Sequence, residues 1–150
     1  MWTRSRRWLG IPATCGFWAT ARRRTAPRRA IAGMLGHWAL RGYGFFALEE
    51  KASGAFIGWS GLLNPEGSPG IEIAWGIAPD RWRQGFATEA ATAVVHYAAD
   101  TLHLTRLISL IHPENVASIR VAEKIGERFV GTIEFQGKDV RLCAVDLPPR

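Results

Sequence analysis

The segment "RWRQGFATEAA" (residues 81–91) places two arginines and a glutamine directly before one glycine and then continues into alanines. The alanines predict a helix that begins just after Gly85. The first N–H groups of a helix have no partner within it, and the helix dipole is positive at this end. Together with the arginines, and with a glycine that lets a ligand approach the backbone, they predict a site for an anion such as a phosphate.

The segments on either side of this helix alternate between short apolar runs and turn residues. They predict helices over residues 27–42, 86–100 and 115–126, and strands over residues 43–50, 55–63, 71–78, 104–111, 126–135 and 139–147. The first two strands are separated by Lys-Ala-Ser-Gly, which indicates a hairpin. The order helix, three strands, helix, strand, helix, two strands predicts an α/β fold with a mixed, partly antiparallel central sheet and flanking helices.

The predicted strand that precedes the loop, residues 71–78, alternates in side-chain size. Its odd positions are bulky, and its even positions are nearly all small. This alternation is expected of a half-buried strand. The small face allows two interpretations. Either a helix packs closely over it, or an extended ligand lies against the strand near Gly76, where no side chain blocks the backbone.

Length and composition limit the classes of protein to consider. At 150 residues the chain is expected to form one domain with its own core. No apolar run approaches the roughly 18 residues that a membrane span needs. Cys15 and Cys143 form no disulfide framework, and the four histidines have no ligand spacing, so no metal site is expected. These features predict a soluble, cytoplasmic protein without a membrane partner.

The basic residues are concentrated at the start of the chain. Residues 1–48 contain nine arginines and no acid, whereas residues 49–150 contain ten Lys or Arg and all thirteen acids. Residues 1–29 show no helical or strand periodicity and are predicted to be a basic tail before a domain over residues 30–150. The tail has four interpretations: a nucleic-acid-binding arm, a transit-like segment, a mis-assigned start, or an ordinary solvated tail.

Two motifs, taken as a pair, resemble a known family. "APDRWRQGFATEAA" (residues 78–91) is similar to the acetyl-CoA pyrophosphate loop of the GNAT N-acetyltransferase superfamily, and "HPENVASIRVAEKIGERFVG" (residues 112–131) is similar to its second signature. The pair resembles in particular the branch of ribosomal-protein-alanine N-acetyltransferases. The resemblance covers about residues 30–147. It implies a GNAT-like fold in which the family's first strand and helix are missing or replaced by the arginine-rich tail.

The resemblance implies acetyl-CoA as the acetyl donor. The backbone N–H groups of residues 83–88 would hold its pyrophosphate, and the strand around Gly76 would pair with its pantetheine arm. In the family this strand splays from its neighbour, and a backbone N–H, here around Ile77, stabilises the oxyanion of the tetrahedral intermediate. The implied cofactor-binding residues are Trp75, Gly76, Ile77, Trp82, Arg83, Gln84, Gly85, Phe86, Ala87, Thr88 and Asn115.

The resemblance also implies roles in acetyl transfer. Ser118 lies where the branch has a residue that protonates the leaving sulfur, although a serine in the first turn of a helix also satisfies backbone donors. Glu72 and Glu134 are the candidates for the general base, and a water relay to a carboxylate is an alternative. The identity of the base stays open at this level.

The resemblance therefore implies an N-acetyltransferase that acts on a primary amine, either a protein N-terminus or a small molecule. Two hypotheses from other classes remain: a CoA-binding protein without turnover and, less favoured, a nucleic-acid-binding protein that uses the arginine-rich arm. Members of the family often pair through their C-terminal strands, so the resemblance offers a homodimer as one option, and the oligomeric state stays open. The acceptor stays unidentified because enzymes with the same fold acetylate many different acceptors.

Overall fold

The computed structural model describes residues 26–148, with side chains described from Arg29 onward. Along these residues the chain forms α1 (Ala26–Arg41), β1 (Phe45–Glu50), β2 (Ala55–Leu63), β3 (Glu72–Ile77), a short 3-10 helix (Pro79–Arg81), α2 (Phe86–Asp100), β4 (Arg106–Ile111), α3 (Val116–Lys124), β5 (Arg128–Phe135) and β6 (Lys138–Asp146). Residues 1–25 lie outside the described residues. The interpretations of the arginine-rich tail and its predicted boundary with the domain therefore stay predictions.

The six strands form one sheet in the order β1-β2-β3-β4-β6-β5. Neighbouring strands are antiparallel except β3 and β4, which are parallel and are connected through α2. Such a crossover is needed because a tight turn cannot join parallel strands. The predicted α/β class, with a mixed and partly antiparallel sheet and flanking helices, is confirmed. Each predicted segment overlaps an observed element of the same type.

One face of the sheet is covered by α2 and α3. Small residues of α2 and α3 are buried against it, which allows both helices to approach the strands closely: Ala91, Ala98 and Ala122. The larger core lies on this side and includes Ile73, Trp75 and Leu107. A smaller apolar cluster of Ile108, Leu110 and Ala144 forms on the other side. No helix within residues 26–148 is both long and apolar enough to cross a membrane.

Two aromatic side chains fix α1 to the first strands. His37 Nδ1 lies 2.7 Å from the carbonyl oxygen of Tyr43, and its Nε2 accepts the Asn64 N–H at 3.0 Å. These partners require the tautomer that carries its proton on Nδ1. The indole N–H of Trp38 donates to the carbonyl oxygen of Phe45 at 3.0 Å. The C-terminal half of α1 is therefore held at the ends of β1 and β2.

Gly61 permits a close approach of β1 and β2, which gives a prediction for stability. A Cβ atom at Gly61 would lie 2.6 Å from Cα of Phe45 and would also clash with the backbone of Gly44. We expect Gly61→Ala to lower the free energy of unfolding by about 2–3 kcal/mol, because backbone atoms must move. Gly131→Ala is the matched control, since its Cβ meets no atom within 4 Å. Equal losses in urea denaturation of the two variants would contradict this expectation.

Candidate active site

β3 and β4 separate along their length. Bridged pairing between them is confined to Glu72 and Ile108, and beside it the Ile108 N–H donates to the carbonyl of Ile71 at 3.0 Å. Among the described residues, no further β3–β4 pair forms beyond this bridge. On its other side, β4 stays paired with β6 from Arg106 to Ile111. A gap therefore opens between β3 and β4 toward their C-terminal ends.

Two side chains replace the next bonds of the β3–β4 ladder. A regular parallel ladder would next join the Leu110 N–H to the carbonyl of Ile73. Instead, the Ser109 hydroxyl donates to the carbonyl of Ile73 at 3.0 Å. The Leu110 N–H interacts with the carboxyl group of Glu72. Both side chains are buried. Specific polar contacts, rather than loose packing, therefore mark the closed end of the gap.

Backbone N–H groups of β3 line the gap. The N–H of Ala78 donates to Ile57 at 2.9 Å, in the direction of β2. Because successive N–H groups of a strand point to opposite sides, the N–H of Gly76 also faces β2. The N–H groups of Trp75 and Ile77 then face the gap. Two aligned donors in such a position suit an extended ligand or an oxygen that gains negative charge.

The small face of β3 is covered by an aromatic side chain. The indole of Trp59 lies over Gly76, where a Cβ atom would meet Cε2 of Trp59 at 2.6 Å. The ring of Trp59 also lies 4.6 Å, centroid to centroid, from that of Phe45. Neither interpretation included this cross-strand neighbour, for which the glycine makes room, and a ligand near Gly76 stays a prediction. A ligand would reach β3 at its edge in the gap.

The loop before α2 bends sharply, and α2 begins without a side-chain cap. The φ angles of Arg83 and Gly85 are 62° and 88°, in the left-handed region. Left-handed residues are typical of concavities whose backbone N–H groups converge on an anion. Gly85 is the N-cap and makes no side-chain cap hydrogen bond. The N–H groups of the first turn, at Phe86, Ala87 and Thr88, therefore have no intrahelical partner.

Side chains of the loop hold its shape. The indole N–H of Trp82 donates to the carbonyl of Ile77 at 2.7 Å, which joins the loop to the open end of β3. The side-chain amide of Gln84 donates to the backbone of the preceding 3-10 helix at 3.2 Å. Arg81 forms an ion pair with Glu50 of β1 at 3.2 Å. The loop is thus fixed to both β3 and β1, at the end of the sheet where the gap opens.

α3 begins just after the C-terminal end of β4. Asn115 caps it, since its Oδ1 accepts the Ser118 N–H at 3.1 Å. The Nδ2 amide group of Asn115 is a separate donor. The side chain of Ser118 is half-buried. The cap therefore fixes both residues at the end of β4 beside the open end of the gap.

The two candidate bases have different environments. Glu72 is 7% exposed, and burial raises its pKa to about 7, opposed by the Leu110 N–H. A carboxyl group with such a pKa is well suited to accept a proton near neutral pH. Glu134 is exposed on the edge strand β5, opposite Asp139. Because β6 lies between β5 and β4, the strands β5 and β4 are two strand spacings apart, which together make roughly 10 Å. The structure brings Glu72, and not Glu134, to the gap.

A further carboxyl group, that of Glu127, was missed by the sequence prediction. Glu127 is 4% exposed, and its pKa is raised to about 8, mainly by burial and also by the charge of Glu72. The Ser109 hydroxyl acts in the opposite direction and lowers this pKa. An acid that directly follows a helix-ending glycine is normally exposed, so the local pattern gave no signal of burial. Only the packing of β4 and β6 reveals it.

Comparisons with known sequences agree with the geometry. A model of the acetyltransferase (GNAT) domain matches residues 4–128. The chain is 36% identical over 104 residues to the uncharacterized protein YkkB of Bacillus subtilis. This alignment covers 67% of this chain and 60% of that protein. It is 42% identical over 60 residues to the uncharacterized N-acetyltransferase YnaD of Bacillus subtilis, covering 40% and 35%. The chain thus spans less than two thirds of the length of these relatives.

Comparisons with solved structures extend the agreement. A putative GnaT-family acetyltransferase from Bordetella pertussis matches with a TM-score of 0.72 and 26% identity, covering 79% of this chain and 75% of that one. An acetyltransferase from Agrobacterium tumefaciens matches with a TM-score of 0.73 and 26% identity, covering 80% and 70%. The matched family model includes the whole of the glycine loop and α2. By its sequence and by its fold, the chain belongs to the GNAT acetyltransferase family.

Proposed function

We propose that the protein is an N-acetyltransferase that transfers the acetyl group of acetyl-CoA to a primary amine. One observation carries the proposal. The uncapped N-terminus of α2 and the open end of the β3–β4 gap lie at the two ends of a single short loop. This arrangement fits a ligand that has phosphates at one end and an extended, amide-containing arm at the other. Membership of the GNAT family supports acetyl-CoA as that ligand.

The chain offers hydrogen-bond donors that suit both the pyrophosphate and the amide-containing arm of acetyl-CoA. We assign the pyrophosphate to the backbone N–H groups of residues 83–88, at the positive end of α2. The N–H groups of Trp75 and Ile77 would bind the arm, and the Nδ2 group of Asn115 would add a donor from the other side of the gap. Trp82 and Gln84 would hold the loop in shape through the hydrogen bonds that they already make.

Three groups of the chain account for the chemistry. When bound, acetyl-CoA supplies the acetyl group as a thioester. The N–H of Ile77 would donate to the carbonyl oxygen as it gains negative charge. The carboxylate of Glu72 would accept the proton that the amine releases, directly or through a water molecule. The hydroxyl of Ser118 would donate a proton to the departing sulfur and recover one from solvent.

The acceptor is proposed as a primary amine on a small molecule or at a protein N-terminus. A buried base with a pKa of about 7 is matched to removing a proton from an amine near neutral pH. The resemblance of the two motifs to ribosomal-protein-alanine N-acetyltransferases supports the protein N-terminus as one member of this class. The acceptor within the class is a question for experiment.

An acetylation assay tests the proposal. The full chain is incubated with acetyl-CoA and a panel of polyamines, amino acids, aminoglycosides and short peptides with free N-termini, and products are identified by mass spectrometry. We expect an acetylated amine whose formation is lost in Gly85→Glu. Binding of acetyl-CoA without product from any amine would instead support the CoA-binding hypothesis. Salt-sensitive nucleic-acid binding that disappears when residues 1–29 are deleted would support the arm hypothesis.

The proposal includes a homodimer through β5. Among residues 26–148 this strand is an edge of the sheet and pairs only with β6, and it exposes Phe129 and Val130 by 52% and 53%. Unpaired edges with apolar side chains favour association. We expect sedimentation equilibrium to give twice the monomer mass, and Val130→Lys to shift the protein to the monomer. A monomeric wild type at all accessible concentrations would contradict the dimer.

A further inference from the structure

Glu50 is the last residue of β1, and its carboxylate contacts the loop before α2. Arg81 Nε lies 3.2 Å from Oε1 of Glu50, and Arg81 Nη2 donates to Oε2 at 3.5 Å. Both side chains are partly buried, with 29% of Arg81 and 19% of Glu50 exposed. Nε of Arg81 is shielded from solvent and makes no hydrogen bond within residues 26–148. The nearby carboxylate is therefore what compensates the charge of Arg81 at this point.

The turn between β1 and β2 holds Glu50 in place. The Ser53 hydroxyl donates to the carboxylate of Glu50, and the Gly54 N–H donates to its carbonyl oxygen at 2.8 Å. The pKa of Glu50 is lowered by the hydrogen bond from Ser53 and, against the effect of burial, by the charge of Arg81. Glu50 is therefore a charged group at neutral pH that is fixed to the β1–β2 hairpin.

The two arginines of the loop differ in their partners. Besides Glu50, Arg81 contacts Asp80, whose Oδ2 lies 3.3 Å from Nη1. Arg83 is exposed and forms no ion pair with any other described residue. A cation that is compensated by two carboxylates attracts a pyrophosphate less than an uncompensated one. Arg83 is therefore suited to contact phosphate, whereas Arg81 is suited to anchor the loop.

We propose that Glu50 is a positioning residue for acetyl-CoA: through Arg81 it holds the loop before α2 in the shape that binds the pyrophosphate. The role rests on the proposed function, because the pyrophosphate is assigned to this loop. The loop contains the left-handed residues Arg83 and Gly85, a backbone shape that persists only where its surroundings enforce it. An anchor on β1 keeps the N–H groups in place before the ligand arrives, which lowers the entropic cost of binding.

The sign of one substitution separates this role from a simple charge effect. Glu50→Gln removes a negative charge near the assigned pyrophosphate, so a residue that acted only through its charge would bind acetyl-CoA more tightly after this change. Loss of a positioning residue weakens binding instead. We expect about 2- to 5-fold weaker binding for Glu50→Gln, the usual range for a partly exposed ion pair. The matched control is Glu49→Gln, an exposed neighbour on the same strand, which should not weaken binding.

Calorimetric titration of the full chain with acetyl-CoA measures these affinities in a double-mutant cycle. Arg81→Gln should weaken binding at least as much as Glu50→Gln. The double variant should bind no more weakly than Arg81→Gln alone, because Glu50 acts through Arg81. Arg83→Gln should add a loss of its own to either single variant. Unchanged or tighter binding by Glu50→Gln, or additive losses in the double variant, would overturn the inference.

The indole N–H of Trp82 gives a second readout that needs no acetyl-CoA. It donates to the carbonyl of Ile77 at 2.7 Å, so its exchange with solvent reports how firmly the loop is attached to β3. NMR should show faster exchange of this proton in Glu50→Gln than in wild type or Glu49→Gln. Equal exchange in all three would overturn the inference. If wild type fails to bind acetyl-CoA, the proposed function is wrong, and this exchange rate still decides whether Glu50 holds the loop.

Discussion

Replacing Gly85 with Glu is expected to weaken acetyl-CoA binding by at least about 100-fold. The φ angle of Gly85 is 88°, and no atom lies within 4 Å of a Cβ built there, so the side chain has room. Its carboxylate would compete for the N–H groups of α2 and repel the pyrophosphate. Two like charges about 4 Å apart repel by roughly 4 kcal/mol at an effective dielectric constant of about 20. Each factor of ten in affinity corresponds to about 1.4 kcal/mol, so this repulsion alone is more than enough for a roughly 100-fold loss of affinity.

Gly67→Glu is the matched control for this variant. Gly67 has a φ angle of 80° and equally open space, so the substitution carries the same backbone strain and the same added charge. It lies between β2 and β3, in the loop at the other end of β3 from the gap. Calorimetric titration should show near-wild-type affinity for Gly67→Glu. An equal loss in both variants would point to instability and would contradict the phosphate assignment.

Replacing Glu72 with Gln is expected to lower kcat by about 100- to 10,000-fold, the usual contribution of a general base. The affinity for acetyl-CoA should change little, because the amide keeps the shape of the side chain. In wild type, kcat/KM should rise with pH through about 7, since the pKa of Glu72 is raised to about 7 by burial and only the carboxylate accepts a proton. This rising limb of the pH profile of kcat/KM should be absent from the residual activity of Glu72→Gln.

The competing base is tested in the same assay. If Glu134→Gln removes the limb near neutral pH and Glu72→Gln retains it, the base is Glu134 and the assignment made here is wrong. If neither variant changes the limb, a group other than these two carboxylates accepts the proton. Both variants are compared with Glu123→Gln, an exposed acid outside the gap.

The elements of this fold could be predicted from local patterns. Gly85 ends a polar loop and precedes a run of alanines, and α2 begins at Phe86 as that pattern indicates. Asn115 likewise marks the start of α3, where its side chain caps the Ser118 N–H. Such signals work because caps, turns and helical periodicity depend on residues that are close in sequence. The alternation over residues 71–78 similarly identified β3, although not what covers its small face.

Contacts between distant strands could not be predicted in this way. The hydrogen bond from Ser109 to Ile73 joins residues 36 positions apart and helps to define the closed end of the gap. Trp59 fills the space over Gly76 because of the β2–β3 register, which no local pattern specifies. The burial of Glu127 depends on the packing of β4 and β6 in the same way. Most candidate residues could therefore be predicted from the sequence, with Glu127 as an exception. The environments that set their chemistry depend on contacts across the sheet, which the sequence does not specify.

We propose that acetyl-CoA binds along one path, from the first turn of α2 into the β3–β4 gap. NMR-detected hydrogen exchange of single amides, with and without acetyl-CoA, tests this path. We expect slower exchange on binding at Trp75 and Ile77 and at residues 83–88, with Gly76 little changed because its N–H already faces β2. Binding that leaves Trp75 and Ile77 unprotected, or that protects residues elsewhere in the sheet instead, would rule out this path.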